Sequence, residues 1–144
     1  MEKPIFIPGG HHSDFRGVVS FVNDFHLDNV KRLYTIDHPN IDIVRAWQGH
    51  KVEQKWFCVV AGSFKMLVVK PDDWVNPSEE LEVIEFTLSV ESMGVLHIPG
   101  GYANGFKALE PNSKFIVFSN FSTEQSSDDN YRFDQNSWYD WNKA

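Results

Sequence analysis

The sequence predicts an all-β fold: a sandwich, barrel or jelly roll built from short strands. Three observations predict it. Stretches rich in Val, Ile, Phe and Trp recur at spacings of roughly 8–12 residues. Gly and Pro break the chain between them, at Pro8-Gly9-Gly10, His38-Pro39-Asn40, Pro71-Asp72-Asp73, Pro99-Gly100-Gly101 and Glu110-Pro111-Asn112. No stretch of roughly ten residues or more keeps a helical period without a breaker.

Taken in order, strands are expected at 18–25, 30–37, 43–50, 55–61, 63–70, 82–89, 95–98, 105–109 and 114–121. Segment 55–61 is apolar on both faces, which suits the inside of a double sheet. Ala61-Gly62-Ser63 reads as a tight turn between two strands. Segment 81–86 alternates only in part, and its β-branched and aromatic residues carry the assignment. The polar segment 122–130 reads as a surface loop, with Ser126-Ser127-Asp128-Asp129 solvated. A short helix is expected near the C-terminus, over 134–141. His11 and His12 read as loop residues, and His97 as a satisfied core histidine. Tyr102, Trp138 and Trp141 read first as packing, with stacking on a nucleobase as the alternative.

The 144 residues fit one domain spanning 1–144. An apolar content of 42% with 15% aromatics supplies a full core and excludes disorder. Thirteen Lys and Arg stand against twenty Asp and Glu, for a net charge of −7. No basic run exceeds Lys31-Arg32, so a duplex nucleic-acid partner is not expected. Cys58 is the single cysteine, which rules out an intrachain disulfide and multi-cysteine zinc sites and reads as a buried, inert thiol. No apolar run approaches the ~18 residues of a membrane span. The start of the chain carries no signal-peptide pattern, so the expected compartment is the cytoplasm.

Chemistry concentrates in Arg45-Ala46-Trp47-Gln48-Gly49-His50-Lys51 and the residues up to Lys55. Period-two geometry puts Gln48 and His50 on one face of a strand. Either that face lines an interior cavity, or it is a solvated strand end. In a cavity, an imidazole of near-neutral pKa is the commonest general base at pH near 7.

The order of polar strand, apolar strand, Gly turn and later Pro-Gly-Gly resembles the two boxes of the cupin jelly roll. Metal-binding cupins carry His-x-His, a Glu and a later His. Here Gln48 stands at the first position, Glu53 or Gln54 near the acid and Asn104 at the last, leaving His50 alone. A transition metal wants three or four good donors, so no metal is expected.

A narrower resemblance covers nearly the whole chain. Arg45 to Lys51 with Gln54 and Gly62 is similar to the Arg-Gly-x-His-x-His-Lys…Gln…Gly-Ser box of dTDP-4-dehydro-6-deoxyglucose 3,4-ketoisomerases, and Lys31-Arg32-Leu33-Tyr34 resembles their Lys-Arg-x-Tyr strand. Leu96 to Phe106 resembles the Ile-Pro-x-Gly-Phe-Ala-His-Gly-Phe segment of dTDP-4-dehydrorhamnose 3,5-epimerases. Asp14-Phe15-Arg16-Gly17 resembles their Asp-x-Arg-Gly, and Asp134 with Trp138 and Trp141 resembles their tail.

The resemblance implies a cupin-type double-stranded β-helix, a homodimer, a dTDP-sugar substrate and no cofactor. The implied chemistry is proton transfer beside a ketone. A base removes the C3–H of a 4-keto-6-deoxyhexose to give an enediolate. A proton returned to C3 from the opposite face epimerises that centre, and one returned to C4 moves the ketone. Gln48 stands where the epimerase has its base, and an amide takes up no proton near pH 7. His50 is then the expected base, the alternative being a hydrogen-bonded structural histidine. Tyr34 is the expected acid or a sugar contact, against barrel packing. Arg45 and Arg16 are expected on the diphosphate, Arg16 across a dimer interface, and Lys55 on an oxyanion or phosphate. Gln48 and Asn104 are expected on sugar hydroxyls. The alternative is a protein that binds a sugar nucleotide or saccharide without converting it.

Overall fold

A computed structural model describes residues 2–142. Twelve strands and one helix are present among them. The strands are β1 (Ile5–Pro8), β2 (Gly10–Asp14), β3 (Gly17–Phe21), β4 (Arg32–His38), β5 (Val44–His50), β6 (Lys55–Ala61), β7 (Ser63–Val69), β8 (Val83–Ser89), β9 (Gly94–Ile98), β10 (Tyr102–Ala108), β11 (Ser113–Ser119) and β12 (Tyr131–Arg132), with α1 (Thr123–Ser127) before the last. One five-stranded sheet has the order β1-β9-β6-β11-β4, the other β12-β5-β10-β7-β8, and β2 with β3 forms a separate hairpin. Every pairing is antiparallel. This is the double-stranded β-helix expected from the sequence.

Period-two alternation gives each sheet an inner face. Phe57 and Val59 of β6, Phe64 and Met66 of β7, Phe106 of β10 and Phe115 of β11 fill the space between the sheets. Phe115 sits at the centre, fully buried, its ring 4.5 Å from Phe64 and 4.8 Å from Phe106. A second apolar cluster covers the outer face of β5, β7 and β10, where Trp47, Leu67, Val69 and Ala103 lie under Trp141 of the C-terminal segment. Gly62 makes the β6–β7 turn at φ +68°, and a Cβ there would collide with Ser113 Oγ.

Four expectations need correction. Residues 134–141 are not helical: Asp134 Oδ1 accepts from Asn136 N at 2.7 Å, and Trp138 takes φ +65°. Those local bonds compete with a helix, and the tryptophans of the segment pack on the outer apolar cluster of the sheet. The single helix lies instead at Thr123–Ser127, inside the expected loop, where Ser122 and Gln125 form a capping box. The strand expected at 18–25 starts at Gly17 and stops at Phe21, because residues 23–24 make a turn. His11 and His12 lie in β2 rather than in a loop, and β1, β2 and β12 were not expected. His97 is half-buried, stacked on Trp56 at 4.8 Å and hydrogen-bonded to Gln54 at 2.7 Å, a structural role on the outer face of its sheet.

Candidate active site

Of the residues nominated from the sequence, Tyr34 lies on β4, Lys55 on β6 and Asn104 on β10, while strand β5 carries Arg45, Gln48 and His50. Its partner β10 sets Gln48 opposite Asn104 and His50 opposite Tyr102. The register then slips: Ala46 faces Gly105 and Arg45 faces Phe106, so Trp47 has no partner on β10. This bulge breaks the alternation. Trp47 turns outward into the second cluster, while Arg45 and Gln48, three residues apart, both face inward.

Between the sheets lies a cavity of about 170 Å³. Tyr34, Arg45, Gln48, Lys55 and Asn104 all line it, over an apolar floor of Ile36, Phe57 and Phe106. Arg132 of β12 joins them, paired by register with Gln48. The wall therefore has three cations and no carboxylate. At this size the cavity takes a ring and its substituents, the rest of a larger ligand lying at the mouth. A larger depression of about 580 Å³ at the C-terminal turns is open and carries Glu79, Asp134 and Asp140, which suits no anionic ligand.

Lys55 Nζ donates to Tyr34 Oη at 2.8 Å, which leaves the phenolic proton free to face a ligand. Arg45 Nε donates to His38 Nε2 at 3.3 Å, leaving the guanidinium nitrogens beyond Nε for the cavity. His38 is fully buried, and burial first, then Arg45, holds it below the ordinary imidazole range. The Oε1 of Gln48 is buried and has no hydrogen-bond partner among the described residues.

His50 occupies the next inward position along β5 after Gln48 and is not part of the cavity wall. It is buried, and its Nδ1 lies 2.8 Å from the backbone oxygen of Asp129. A carbonyl only accepts, so Nδ1 carries the proton. The neutral ring then has its lone pair on Nε2, a buried atom with no partner among the described residues. Burial and then Lys55 push His50 below the ordinary imidazole range, against the Asp129 carbonyl, Glu53 and the Asp129 carboxylate, which favour its charged form. The resting ring therefore favours the neutral, Nδ1-protonated imidazole.

Two carboxylates stand beside this histidine, one of them read from the sequence as solvated. Asp129 is buried, not solvated, and its carboxylate accepts from the backbone N–H groups of Lys51, Val52 and Glu53 at 2.7, 2.9 and 2.7 Å. Glu53, which the sequence puts near the acid position of the cupin box, is a fully enclosed carboxylate bound by Arg32, Ser119 and Ser126. Ser126, also expected in solvent, is thus tied into the interior. Among the described residues no three His, Cys, Asp or Glu side chains converge as a metal site.

Arg16 is not brought to the cavity. It sits in the turn of the β2–β3 hairpin, its side chain 75% exposed, and pairs with Asp14 at 2.6 Å. Cys58 is half-buried on the outer face of its sheet, 3.7 Å from the Met93 sulfur, and burial raises its thiol pKa. No helix among the described residues is long and apolar enough to cross a membrane.

No protein-family model and no curated protein matches this chain. Solved structures do. A dTDP sugar isomerase from Desulfovibrio desulfuricans has a TM-score of 0.76 at 16% identity, covering 99% of this chain and 93% of its own. The rmlC epimerase of Mycobacterium tuberculosis has a TM-score of 0.74 at 18% identity, covering 96% and 74%. A 3,4-ketoisomerase from Thermoanaerobacterium thermosaccharolyticum, a mutant solved with TDP-4-keto-6-deoxyglucose, has a TM-score of 0.69 at 22% identity, covering 92% and 89%. At these identities the likeness establishes the shared fold.

Proposed function

We propose that this chain is a cofactor-independent isomerase of a dTDP-linked 4-keto-6-deoxyhexose, acting as a single-domain, cytoplasmic homodimer. The observation that carries the reading is the pairing of two unpartnered buried acceptors, Gln48 Oε1 and His50 Nε2, on one inward face beside a cationic cavity. Buried polar atoms are nearly always satisfied, so a ligand rich in hydroxyl donors is the natural complement. The lack of any carboxylate in the wall suits a diphosphate and an enediolate. Structural neighbours bound to TDP and to a TDP-keto-sugar support the same class.

In this reading the sugar ring enters between Gln48, Asn104 and Tyr34. His50 Nε2 takes the C3 proton, and the C–H electron pair moves into the enediolate. Lys55 and the Tyr34 hydroxyl stabilise the oxygen that gains charge. Arg45, braced by His38, and Arg132 hold the phosphates at the mouth. One base serving adjacent carbons favours return of the proton to C4, with the O3 proton passing to O4, giving the 3-ketone, over epimerisation at two carbons. Such a product belongs to the biosynthesis of deoxysugars.

Arg16 fits the reading through a second copy. The β2–β3 hairpin stands apart from both sheets, with Phe15 97% and Val18 and Val19 each 63% exposed. Covering this arm with a second chain buries those side chains and carries Arg16 toward the other subunit's cavity mouth.

One observation favours a second reading, binding without turnover: the cavity wall holds Gln48 and Asn104 but not the His50 imidazole. Incubation with dTDP-4-keto-6-deoxyglucose in D2O separates the two. Deuterium uptake is expected for the isomerase, at C4 of the 3-keto product and, through the reverse reaction, at C3 of recovered substrate. A ligand-induced thermal shift without uptake would leave only the binding module.

A further inference from the structure

We propose that Glu53 is the positioning residue of this site, a buried carboxylate that offsets the charge His50 gains when it takes the substrate proton. The inference rests on the reading of His50 as base. Glu53 touches no cavity; it acts through the imidazole.

The geometry is specific. Glu53 Oε1 lies 3.4 Å from His50 Nδ1 and accepts from Ser126 Oγ at 2.7 Å. Its Oε2 accepts from Ser119 Oγ at 2.5 Å and from Arg32 at 3.1 Å, and stands 3.9 Å from Lys55 Nζ. The charged groups packed on this corner are Arg32 from β4, Lys55 from β6, and Glu53 and Asp129 from the segments around β5 and α1. Two cations and two carboxylates balance while His50 is neutral. Proton abstraction adds one positive charge at His50 and one negative charge on the substrate enediolate. The proton moves from C3 to Nε2, the electron pair stays with the substrate, and nothing is oxidised. Without Glu53 the same step would place an imidazolium beside two cations opposed only by Asp129, which disfavours it.

The carboxylate is built to stay ionised. Burial alone would raise its pKa, but the Ser119 hydroxyl, Lys55, the Ser126 hydroxyl and His50 together bring it below the ordinary carboxylate value. It therefore serves as a fixed charge rather than as a second proton acceptor. Three elements hold it in place: β4 through Arg32, the end of β11 through Ser119, and α1 through Ser126. The short helix thus reaches the site through one hydroxyl.

The test follows the His50 titration by imidazole NMR, together with the pH dependence of kcat. In Glu53→Gln the His50 titration and the acid limb of kcat move to lower pH, and kcat falls about tenfold or more. In Arg32→Gln, which removes a cation and keeps the carboxylate, both move to higher pH. Glu53→Asp retains the charge and returns the limb toward the wild-type position. A purely structural Glu53 would lower stability in Glu53→Gln while leaving the limb in place, and that result overturns the proposal. Should Glu53→Gln not fold, Arg32→Gln decides alone, an unmoved titration counting against it. Absence of deuterium exchange in the wild type would instead sink the isomerase reading, a separate outcome.

Discussion

Replacing Asp129 with alanine tests how the corner around His50 is held. Its carboxylate closes three backbone N–H groups of the turn between β5 and β6, at 2.7–2.9 Å. Hydrogen bonds to a charged group are worth about 1.5–3 kcal/mol each, which would sum to ~4.5–9 kcal/mol. The full sum is not expected, because Lys51 and Val52 are exposed and water can replace two of the bonds. Glu53 is 1% exposed, so its N–H is stranded. One stranded donor plus two weakened bonds gives a loss of about 3 kcal/mol. For a chain of this length that lowers Tm by about 6–12 °C. Urea unfolding measures it as a lower midpoint at unchanged m-value. The Nδ1 bond of His50 goes to the main-chain oxygen of the same residue, so isomerisation should fall as well. A loss below about 0.5 kcal/mol, the range of ordinary surface changes, would refute the reasoning.

Three further outcomes follow from the core, a turn and the buried imidazoles. Phe115→Ala removes the ring at the centre of the sandwich and should cost about 3–5 kcal/mol in chemical denaturation; a cost under ~1 kcal/mol would mean that the centre lies elsewhere. Gly62→Val forces a β-branched residue into positive φ against Ser113 Oγ, and should lower the thermal midpoint clearly, whereas Gly→Val at an unstrained turn would not. His38, His50 and His97 are each held below the ordinary imidazole range, mainly by burial. The unfolded chain then takes up protons before the folded one, so stability should fall from about pH 7.5 to about pH 5.5. A urea midpoint that rises over that interval contradicts the assigned directions.

Much of the barrel was legible because its strands carry their own pattern. Segment 55–61 reads as a strand with two apolar faces inside a double sheet; it lies between β9 and β11, with Phe57 and Val59 buried but Val60 on the outer face 39% exposed. The parity of Gln48 and His50 follows from strand geometry alone, and both side chains do face inward. Arg45 could not be placed that way, since the Trp47 bulge that turns it inward is set by pairing with β10. Strand β2, Gly-His-His-Ser-Asp, is largely exposed and pairs only within its hairpin, so it has no apolar rhythm to detect. Arg132 was missed because β12 has two residues, too few for any period. The serines that bind Glu53 and the backbone N–H groups that bind the Asp129 carboxylate lie 66 to 78 residues away in the chain. Ser122 and Gln125 were the one local sign of α1, a capping box on a helix of five residues.

A crystal grown with dTDP-6-deoxyglucose, which lacks the ketone and does not react, would place a hexose against this wall. The account predicts the ring between Gln48, Asn104 and Tyr34, with its C3 about 3–3.5 Å from His50 Nε2. A hexose lodged anywhere else, or a C3 screened from the imidazole by the Gln48 amide, would contradict it.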